Sequence, residues 1–148
     1  MNINRLVNEQ LWKVVPEFSG YEAHPNGMIR NAITGKIVGQ QPYGGSTVKY
    51  MLCNMRNDIG EWKRPSVHRI IAVTFINQPA IENEYDWDVD HIDHNTSNNA
   101  VDNLRWLPAT LNRALTNRVR PEIARRKILD YYREHNIEYD FFNLLSEL

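Results

Sequence analysis

The chain has 148 residues, 42% of them hydrophobic and 24% charged, which fits one globular domain with a small appendage. Its net charge is −1, and the lone cysteine, Cys53, excludes an intrachain disulfide and a four-cysteine zinc site. The longest apolar run, residues 70–76, is far shorter than the about 20 residues that span a bilayer. The first residues lack the pattern of a signal peptide. We therefore expect a cytoplasmic protein that does not enter a membrane.

The N-terminal half consists of short apolar segments separated by turn residues. Residues 11–38 predict a small, twisted antiparallel β unit. Asn26-Gly27 predicts a two-residue type I′ hairpin turn, because both central positions of that turn need a positive φ. Thr34-Gly35 predicts a second turn. Further strands are expected at residues 48–56 and just before Pro65.

The hydrophobic period then changes from that of strands to that of helices. Apolar residues at helical spacing predict a helix over 67–76, with Ser66 as its N-cap. Short strands at 89–93 and 104–107 enclose a polar loop, and Pro108 suits the first turn of a following helix. Two more helices are expected, from Pro121 to about residue 135 and over 137–148. The predicted fold class is α+β.

Charge is distributed unevenly along the second half. Residues 81–93 hold six acids and no Lys or Arg, whereas residues 105–127 hold seven bases and one acid. An acidic segment followed by a basic one can indicate a metal site beside a phosphate-binding surface. Two solvated faces that neutralise each other are the alternative interpretation.

The segment 89–112 concentrates carboxylate, imidazole and amide side chains in a strand–loop–strand–helix unit. Such a unit can hold a hard divalent cation between an oxygen of the first strand and an oxygen of the helix. An imidazole near the cation can act as a general base. A mixed Asp and Asn ligand set suits Mg²⁺ or Mn²⁺ better than zinc. Hydrolysis of a phosphodiester needs these parts: an activated water and a cation on the phosphate.

At these residues the sequence resembles the HNH endonucleases, specifically the homing-type subgroup of phages and mobile introns. The resemblance covers about residues 10–115, including an upstream module that often accompanies these nucleases. The shared motifs are Asp90-His91-Ile92-Asp93, Asn95, Asn98-Asn99, Asn103-Leu104-Arg105-Trp106, Asn112, the helix at 67–75 and the pattern Trp12-Lys13-Val14-Val15-Pro16 with Asn26-Gly27.

The resemblance implies three parts: a β-rich nuclease-associated module at 1–64, a ββα-metal (HNH) nuclease core at 65–120 and a helical C-terminal extension at 121–148. It implies that His91 deprotonates the attacking water. It also implies that Asp90 and Asn112 bind a single Mg²⁺, for which Mn²⁺ can substitute. Asn103 is then the central asparagine that hydrogen-bonds across the loop to hold His91 in register.

Several neighbouring side chains have structural interpretations. His94 stands where the family usually has Gly, and it is either a substrate contact or a competing base. His68 is expected to pack within the helix that backs the site. Asn98 and Asn99 are interpreted as turn formers, because Asn readily adopts loop conformations.

The expected partner is double-stranded DNA, with its phosphates contacted by four arginines: Arg105, Arg113, Arg118 and Arg120. The function expected from the resemblance is a metal-dependent DNA endonuclease, homing-like and phage-encoded, that acts in the host cytoplasm. A monomer would nick one strand, and a homodimer would break both. The alternatives are a non-catalytic DNA-binding or regulatory protein on a degenerate HNH fold, which the net charge of −1 favours, and a metal-stabilised structural module.

Overall fold

The computed structural model describes residues 8–78 and 87–109, together with positions 112, 113, 126, 130, 133 and 134. The chain divides into two compact units, Met1–Ala80 with Val89–Trp106 and Ile81–Asp88 with Leu107–Leu148. The described part combines antiparallel strands with a nine-residue helix. A mixed α/β fold is therefore confirmed, whereas the ββα-metal arrangement and the boundaries at 64 and 120 stay predictions.

The first sheet lies in the N-terminal part and has the strand order β1-β2-β3. Its strands are β1 (Lys13–Val15), β2 (Phe18–Ala23) and β3 (Ile29–Asn31), and both pairings are antiparallel. Val15, Ala23 and Ile29 are almost completely buried, so one face of the small sheet contributes to the core. The antiparallel unit predicted here is present.

The turn between β2 and β3 differs from the predicted two-residue type I′ turn. The strands are joined by residues 24–28, and the Gly27 N–H donates a hydrogen bond of 2.9 Å to the His24 carbonyl oxygen. Gly27 has φ +94°, whereas Asn26 is not among the residues with a positive φ. Pro25 explains the difference, because its φ near −65° suits the second position of a type I turn.

Two further hairpins follow. In the first, β4 (Gln40–Gly44) pairs with β5 (Lys49–Cys53), which places Tyr43 opposite Tyr50. In the second, β6 (Met55–Arg56) pairs with β7 (Trp62–Lys63). The strand predicted over 48–56 is thus interrupted at Asn54, and its two parts pair with different partners. Burial raises the pKa of the Cys53 thiol to about 12, as expected for an inert core cysteine.

Helix α1 (Val67–Phe75) agrees with the helix predicted from the apolar spacing. Ser66 occupies the N-cap, but its side chain makes no capping hydrogen bond. The helix buries one face made of Val67, His68, Ile70, Ile71 and Ala72. This face contributes much of the core of the first unit, as the amphipathic pattern predicts.

The strands β8 (Trp87–His91) and β9 (Leu104–Pro108) form a two-stranded sheet around the polar loop. β8 begins before the predicted residue 89, because the buried Trp87 extends the alternation of buried and half-buried residues. Pro108 is the last residue of β9, and Ala109 is the first helical position. The prediction that Pro108 lies in the first helical turn was therefore wrong by one residue.

In the C-terminal part, the described positions 112, 113, 126, 130, 133 and 134 are all helical. The rest of the helices predicted over 121–135 and 137–148 lies outside the described residues, as do Arg118 and Arg120. Within the described residues, no helix has the length and apolar character needed to cross a bilayer.

Candidate active site

The two faces of β8 separate the residues predicted to act together. Trp87, Val89 and His91 are buried, whereas Asp88 and Asp90 between them are half-buried. Successive side chains of a strand point to opposite faces, so Asp90 and His91 leave the backbone on different sides. His91 is also the final residue of β8. The predicted general base, His91, and the predicted metal ligand, Asp90, therefore lie on opposite faces at the end of one strand.

His91 is held by a direct hydrogen bond to Asn99. The distance from His91 Nε2 to Asn99 Oδ1 is 2.8 Å, and the two residues are only 4% and 5% exposed. Asn99 was interpreted from the sequence as a turn former. In the structure it is the side chain that contacts the proposed base.

Two aromatic rings from distant elements pack beside His91. The His68 ring from α1 lies 5.1 Å from the His91 ring, and the Tyr50 ring from β5 lies 6.2 Å from it. His68 is buried, and its Nδ1 has no hydrogen-bond partner among the residues that the structure describes. Burial, followed by the charges of His91 and Arg69, lowers the pKa of His68 to about 3. His68 is therefore neutral near pH 7. The sequence predicted that it packs within the backing helix, and in the structure its ring also contacts that of His91.

Asn103 closes the loop that follows His91. Its Nδ2 donates to Asp93 Oδ1 at 2.9 Å and to the Asn98 carbonyl oxygen at 2.8 Å. Its Oδ1 accepts from the Asp93 N–H at 3.0 Å. These hydrogen bonds cross the loop, but they end on Asp93 and Asn98, and the ring of His91 is held by Asn99.

Asp93 and His94 form the tight part of the loop. Hydrogen bonds from the Asn98 side chain, the Asn95 N–H and the Asn103 side chain lower the pKa of Asp93. His94 has φ +62°, a left-handed conformation that favours glycine, and its N–H donates to the His91 carbonyl oxygen at 2.9 Å. The loop thus accepts a histidine where the family usually has Gly, and the His94 side chain is exposed.

Asp90 forms an ion pair with Arg105 of β9. Arg105 donates from Nε and from Nη2 to the same oxygen, Asp90 Oδ2, each at 2.8 Å. Both side chains are only 12% exposed. Both of these contacts end on Oδ2 of Asp90, the predicted metal ligand.

The remaining predicted site residues lie in the second unit or outside the described residues. Asn112 donates from Nδ2 to Asp88 Oδ2 at 3.3 Å, within that unit. Arg113 donates to the Ala109 carbonyl oxygen at 3.2 Å and is exposed. Asp90, His91, Asn103 and Arg105 belong to the first unit, so the structure groups these four predicted residues together.

The donor chemistry fits a hard cation held by few protein ligands. No cluster of three or more His, Cys, Asp and Glu side chains suited to a metal ion occurs among the described residues. Asp90 of the first unit has a carboxylate and Asn112 of the second has an amide oxygen, and Mg²⁺ accepts both types of ligand atom. Mg²⁺ commonly uses one or two protein carboxylates and completes its coordination with water and substrate phosphate.

Two side chains at the site, Asn99 and Tyr50, were not predicted from the sequence to belong to it. Asn99 belongs to the quoted Asn98-Asn99 motif, and its burial distinguishes it from an ordinary turn residue. Tyr50 carries no local signal, because its contact with His91 depends on how the β4–β5 hairpin packs.

The chain is similar to known proteins of one family. Residues 66–114 match the HNH endonuclease family. An uncharacterized HNH endonuclease of Acanthamoeba polyphaga mimivirus, L245, is 34% identical over 122 residues, which cover 81% of this chain and 34% of that protein. A second from the same virus, L247, is 30% identical over 105 residues, covering 70% of this chain and 25% of that protein. The chain thus spans about a third and a quarter of their lengths.

Among solved structures, the fold is similar to that of the HNH homing endonuclease I-HmuI, from a study of DNA binding and cleavage by that enzyme. The TM-score is 0.58 at 23% sequence identity, and the match covers 84% of this chain and 67% of that chain. The family match spans α1, β8, the loop and β9, which together carry His68, His91, Asn99 and Asn103. The chain belongs to the HNH endonuclease family.

Proposed function

We propose that the protein is a metal-dependent endonuclease that hydrolyses phosphodiester bonds in double-stranded DNA, with His91 as the general base. The observation that carries the proposal is the position of His91 at the end of β8, beside Asp90 and hydrogen-bonded to Asn99. A buried hydrogen bond holds a ring in one orientation, which a general base needs in order to meet the attacking water. Membership of the HNH endonuclease family supports the choice of reaction.

Asp90 and Asn112 are the proposed protein ligands of one Mg²⁺, for which Mn²⁺ can substitute. When bound, the cation would activate water and stabilise the charge that develops on the scissile phosphate. Arg105 accompanies Asp90 and supplies a guanidinium at the same carboxylate. Asn103 keeps the loop after His91 closed, because its side chain bonds both Asp93 and Asn98.

The proposed contacts with the phosphates of the DNA backbone are made by four arginines: Arg105, Arg113, Arg118 and Arg120. Guanidinium groups bind phosphate oxygens well, and such contacts position the duplex without reading its sequence. Hydrolysis is expected to leave a 5′-phosphate and a 3′-hydroxyl. One copy would nick a strand, whereas two copies acting together would break both.

A homing-like role, phage origin and action in the host cytoplasm are part of the same proposal. The homing role is supported by the likeness in fold to I-HmuI, which is a homing endonuclease. The relatives named above come from a mimivirus, which supports a viral source more directly than a phage source.

A non-catalytic DNA-binding protein on a degenerate HNH fold is the second candidate. The ion pair between Asp90 and Arg105 favours it, because a guanidinium on a carboxylate competes with a cation for that group. The net charge of −1 points in the same direction.

A metal-stabilised structural module is the third candidate. It predicts that Mg²⁺ raises the melting temperature of the protein while no DNA is cleaved.

A supercoiled-plasmid assay tests these candidates. Purified protein is incubated with plasmid in Mg²⁺, Mn²⁺ or EDTA, and the plasmid carries sequences from the source genome in case the enzyme is specific. His91→Ala is compared with His94→Ala, an exposed histidine three residues along the chain. The proposal expects metal-dependent nicking or linearisation that His91→Ala abolishes and His94→Ala keeps.

The opposite result for the two variants would make His94 the base. Binding of DNA without cleavage on any substrate would favour the degenerate-fold candidate. Activity that persists in EDTA would contradict the role of the cation.

A further inference from the structure

We infer that Asn99 is a positioning residue for the proposed reaction: it fixes His91 in the tautomer that leaves Nδ1 free to accept a proton. The β2–β3 turn at residues 25–27 holds Asn99 in place. The reaction named here rests on the proposed function. The tautomer and its support are properties of the chain that can be measured without any DNA.

The tautomer follows from the chemistry of the hydrogen bond. An amide oxygen only accepts hydrogen bonds, so His91 Nε2, 2.8 Å from Asn99 Oδ1, carries the proton. In a neutral imidazole the other nitrogen then holds the lone pair, which makes Nδ1 the basic atom. The bond is buried at both ends, so water competes weakly with Asn99 for Nε2.

The backbone of Asn99 is held by close contact with Gly27. A Cβ built on Gly27 would lie 3.0 Å from the Asn99 carbonyl oxygen and 3.2 Å from Asn99 Cβ. The turn therefore packs directly against the base of the Asn99 side chain, and a Cβ at position 27 would require the Asn99 backbone to shift by a few tenths of an ångström. The positive φ of Gly27 independently favours glycine here.

Two hydrogen bonds tie the turn to its surroundings on either side of this contact. The Val101 N–H donates to the Pro25 carbonyl oxygen at 2.7 Å. Gln40 Nε2 donates to the Gly27 carbonyl oxygen at 2.8 Å. The turn, Asn99 and His91 thus form a continuous chain of contacts from the N-terminal sheet to the proposed base, all within the first unit.

The first experiment reads the tautomer directly. The full chain is labelled with ¹⁵N, kept in EDTA without DNA at pH 8, and the His91 ring is observed through its two-bond ¹⁵N–¹H correlations. The inference expects one tautomer with the proton on Nε2 and slow exchange of that proton with solvent. A proton on Nδ1, or an Nε2 proton that exchanges as fast as that of an exposed histidine, would overturn it.

Variants separate positioning from a purely structural role. Asn99→Leu is close in shape but has no acceptor, and it is expected to lose the exchange protection of the His91 Nε2 proton. Asn99→Asp keeps an acceptor and is expected to retain the protection. Asn54→Leu, an exposed asparagine between β5 and β6, is the matched control for the added apolar side chain. Should Asn99→Leu fail to fold, Asn99→Ala removes the acceptor without adding volume.

Cleavage kinetics complete the test. Loss of the outer partner of a metal-binding histidine typically costs about 10- to 100-fold in affinity or activity, and we expect a similar cost for the partner of a histidine base. The expected result for folded Asn99→Leu is a kcat lower by about that factor with KM unchanged, and a smaller loss for Asn99→Asp. Unchanged kcat in a folded Asn99→Leu would overturn the positioning role. If the tautomer result holds but the wild-type chain cleaves no DNA, the proposed function fails and the tautomer assignment stands.

Discussion

At the scale of single residues, the ion pair with Arg105 determines the surroundings of the Asp90 carboxylate, the proposed metal ligand. A carboxylate that is only 12% exposed is costly without a partner, and two contacts from one guanidinium compensate that cost. The sequence suggested a phosphate contact for Arg105 and a cation contact for Asp90. In the described structure these two residues contact each other, so the proposed metal and phosphate contacts would have to form alongside this ion pair.

Arg105→Gln should lower the free energy of unfolding by about 2 kcal/mol, because the variant leaves the Asp90 carboxylate shielded from water and unpaired. The double variant Asp90→Asn/Arg105→Gln should cost less than the sum of the single changes, since no charge is then left alone. Chemical denaturation of the four proteins measures this coupling. Lys63→Gln breaks an ion pair with Glu61 whose side chains are more than half exposed, and it is the control expected to change nothing measurable. A cost for Arg105→Gln no larger than that of Lys63→Gln would contradict the prediction.

At the scale of elements, the β2–β3 turn connects the N-terminal sheet to the loop that carries Asn99. The domain description suggested by the resemblance treats residues 1–64 as a module separate from the nuclease core. The contact of Gly27 with Asn99 and the bond from Val101 to Pro25 show that the sheet supports the loop directly. The stability of the turn and the geometry of the candidate site are therefore coupled.

Gly27→Ala should lower the free energy of unfolding by about 2 kcal/mol. Alanine would have to adopt the positive φ of this position, and its Cβ would approach the Asn99 backbone too closely. Gly39→Ala is the matched control, since nothing lies within 4 Å of its Cβ position and its φ is not positive. Thermal or urea unfolding of both variants measures the difference. Equal effects of the two changes would show that the turn relaxes easily and does not constrain Asn99.

Helix α1 and β8 meet at the rings of His68 and His91, and this contact predicts a pH dependence of stability. The pKa of His68 is lowered to about 3 in the folded chain from an ordinary value of 6.5. The unfolded chain therefore binds the proton more readily between these values. This contribution to stability is complete above pH 6.5 and is lost progressively as the pH falls towards 3.

When the pH falls from 7.5 to 5, protonation of His68 in the unfolded chain should lower the free energy of unfolding of the wild-type protein by about 2 kcal/mol. His68→Phe keeps a ring in the cluster but cannot be protonated, so its stability should fall less over that range. Ile71→Val on the same helix is the control, and its cost should be the same at both pH values because neither side chain ionises. Urea unfolding at the two pH values tests this. Identical pH dependence in wild type and His68→Phe would mean that His68 is solvated in the folded chain.

At the scale of the whole molecule, the proposed substrate has to be bound by a chain whose net charge is −1. Overall charge does not steer such a protein to DNA, so binding must depend on local concentrations of basic residues. The segment 105–127, with seven bases and one acid, is such a concentration, whereas the segment 81–93 holds only acids among its charged residues. Binding should accordingly be sensitive to salt despite the near-zero net charge.

If Arg105, Arg113, Arg118 and Arg120 each neutralise one phosphate, the logarithm of the association constant should fall with the logarithm of salt concentration with a slope of about −3.6. Arg113→Gln should reduce the magnitude of the slope by about 1. Fluorescence anisotropy with a duplex in EDTA measures binding without cleavage. Lys63→Gln, outside the basic segment, is the control. A salt-independent affinity, or equal slopes for wild type and Arg113→Gln, would contradict phosphate binding by this segment.

The parts of the fold that could be read from the sequence are those governed by local periodicity. The apolar spacing over residues 67–76 predicted α1, and the strand predicted at 89–93 overlaps β8 (Trp87–His91). Such elements can be predicted because side-chain periods of helices and strands are set within a few residues. The type I′ turn at Asn26-Gly27 was wrong, because Pro25 and the contact with Asn99 select a longer loop. The motif Asp90-His91 located the candidate site through its resemblance to the HNH endonucleases, and the family is confirmed.

The partners of the site residues could not be read in the same way. Whether Asn99 contacts His91 or only forms a turn depends on which residues face inward after the loop closes, and that is decided by packing against Gly27. The contact of Tyr50 with His91 and the ion pair of Asp90 with Arg105 join segments distant in the chain. Local sequence thus sets helix, strands and the chemistry available at residues 89–112. Tertiary packing assigns each polar group its partner, because a hydrogen bond forms only where the folded chain brings donor and acceptor together.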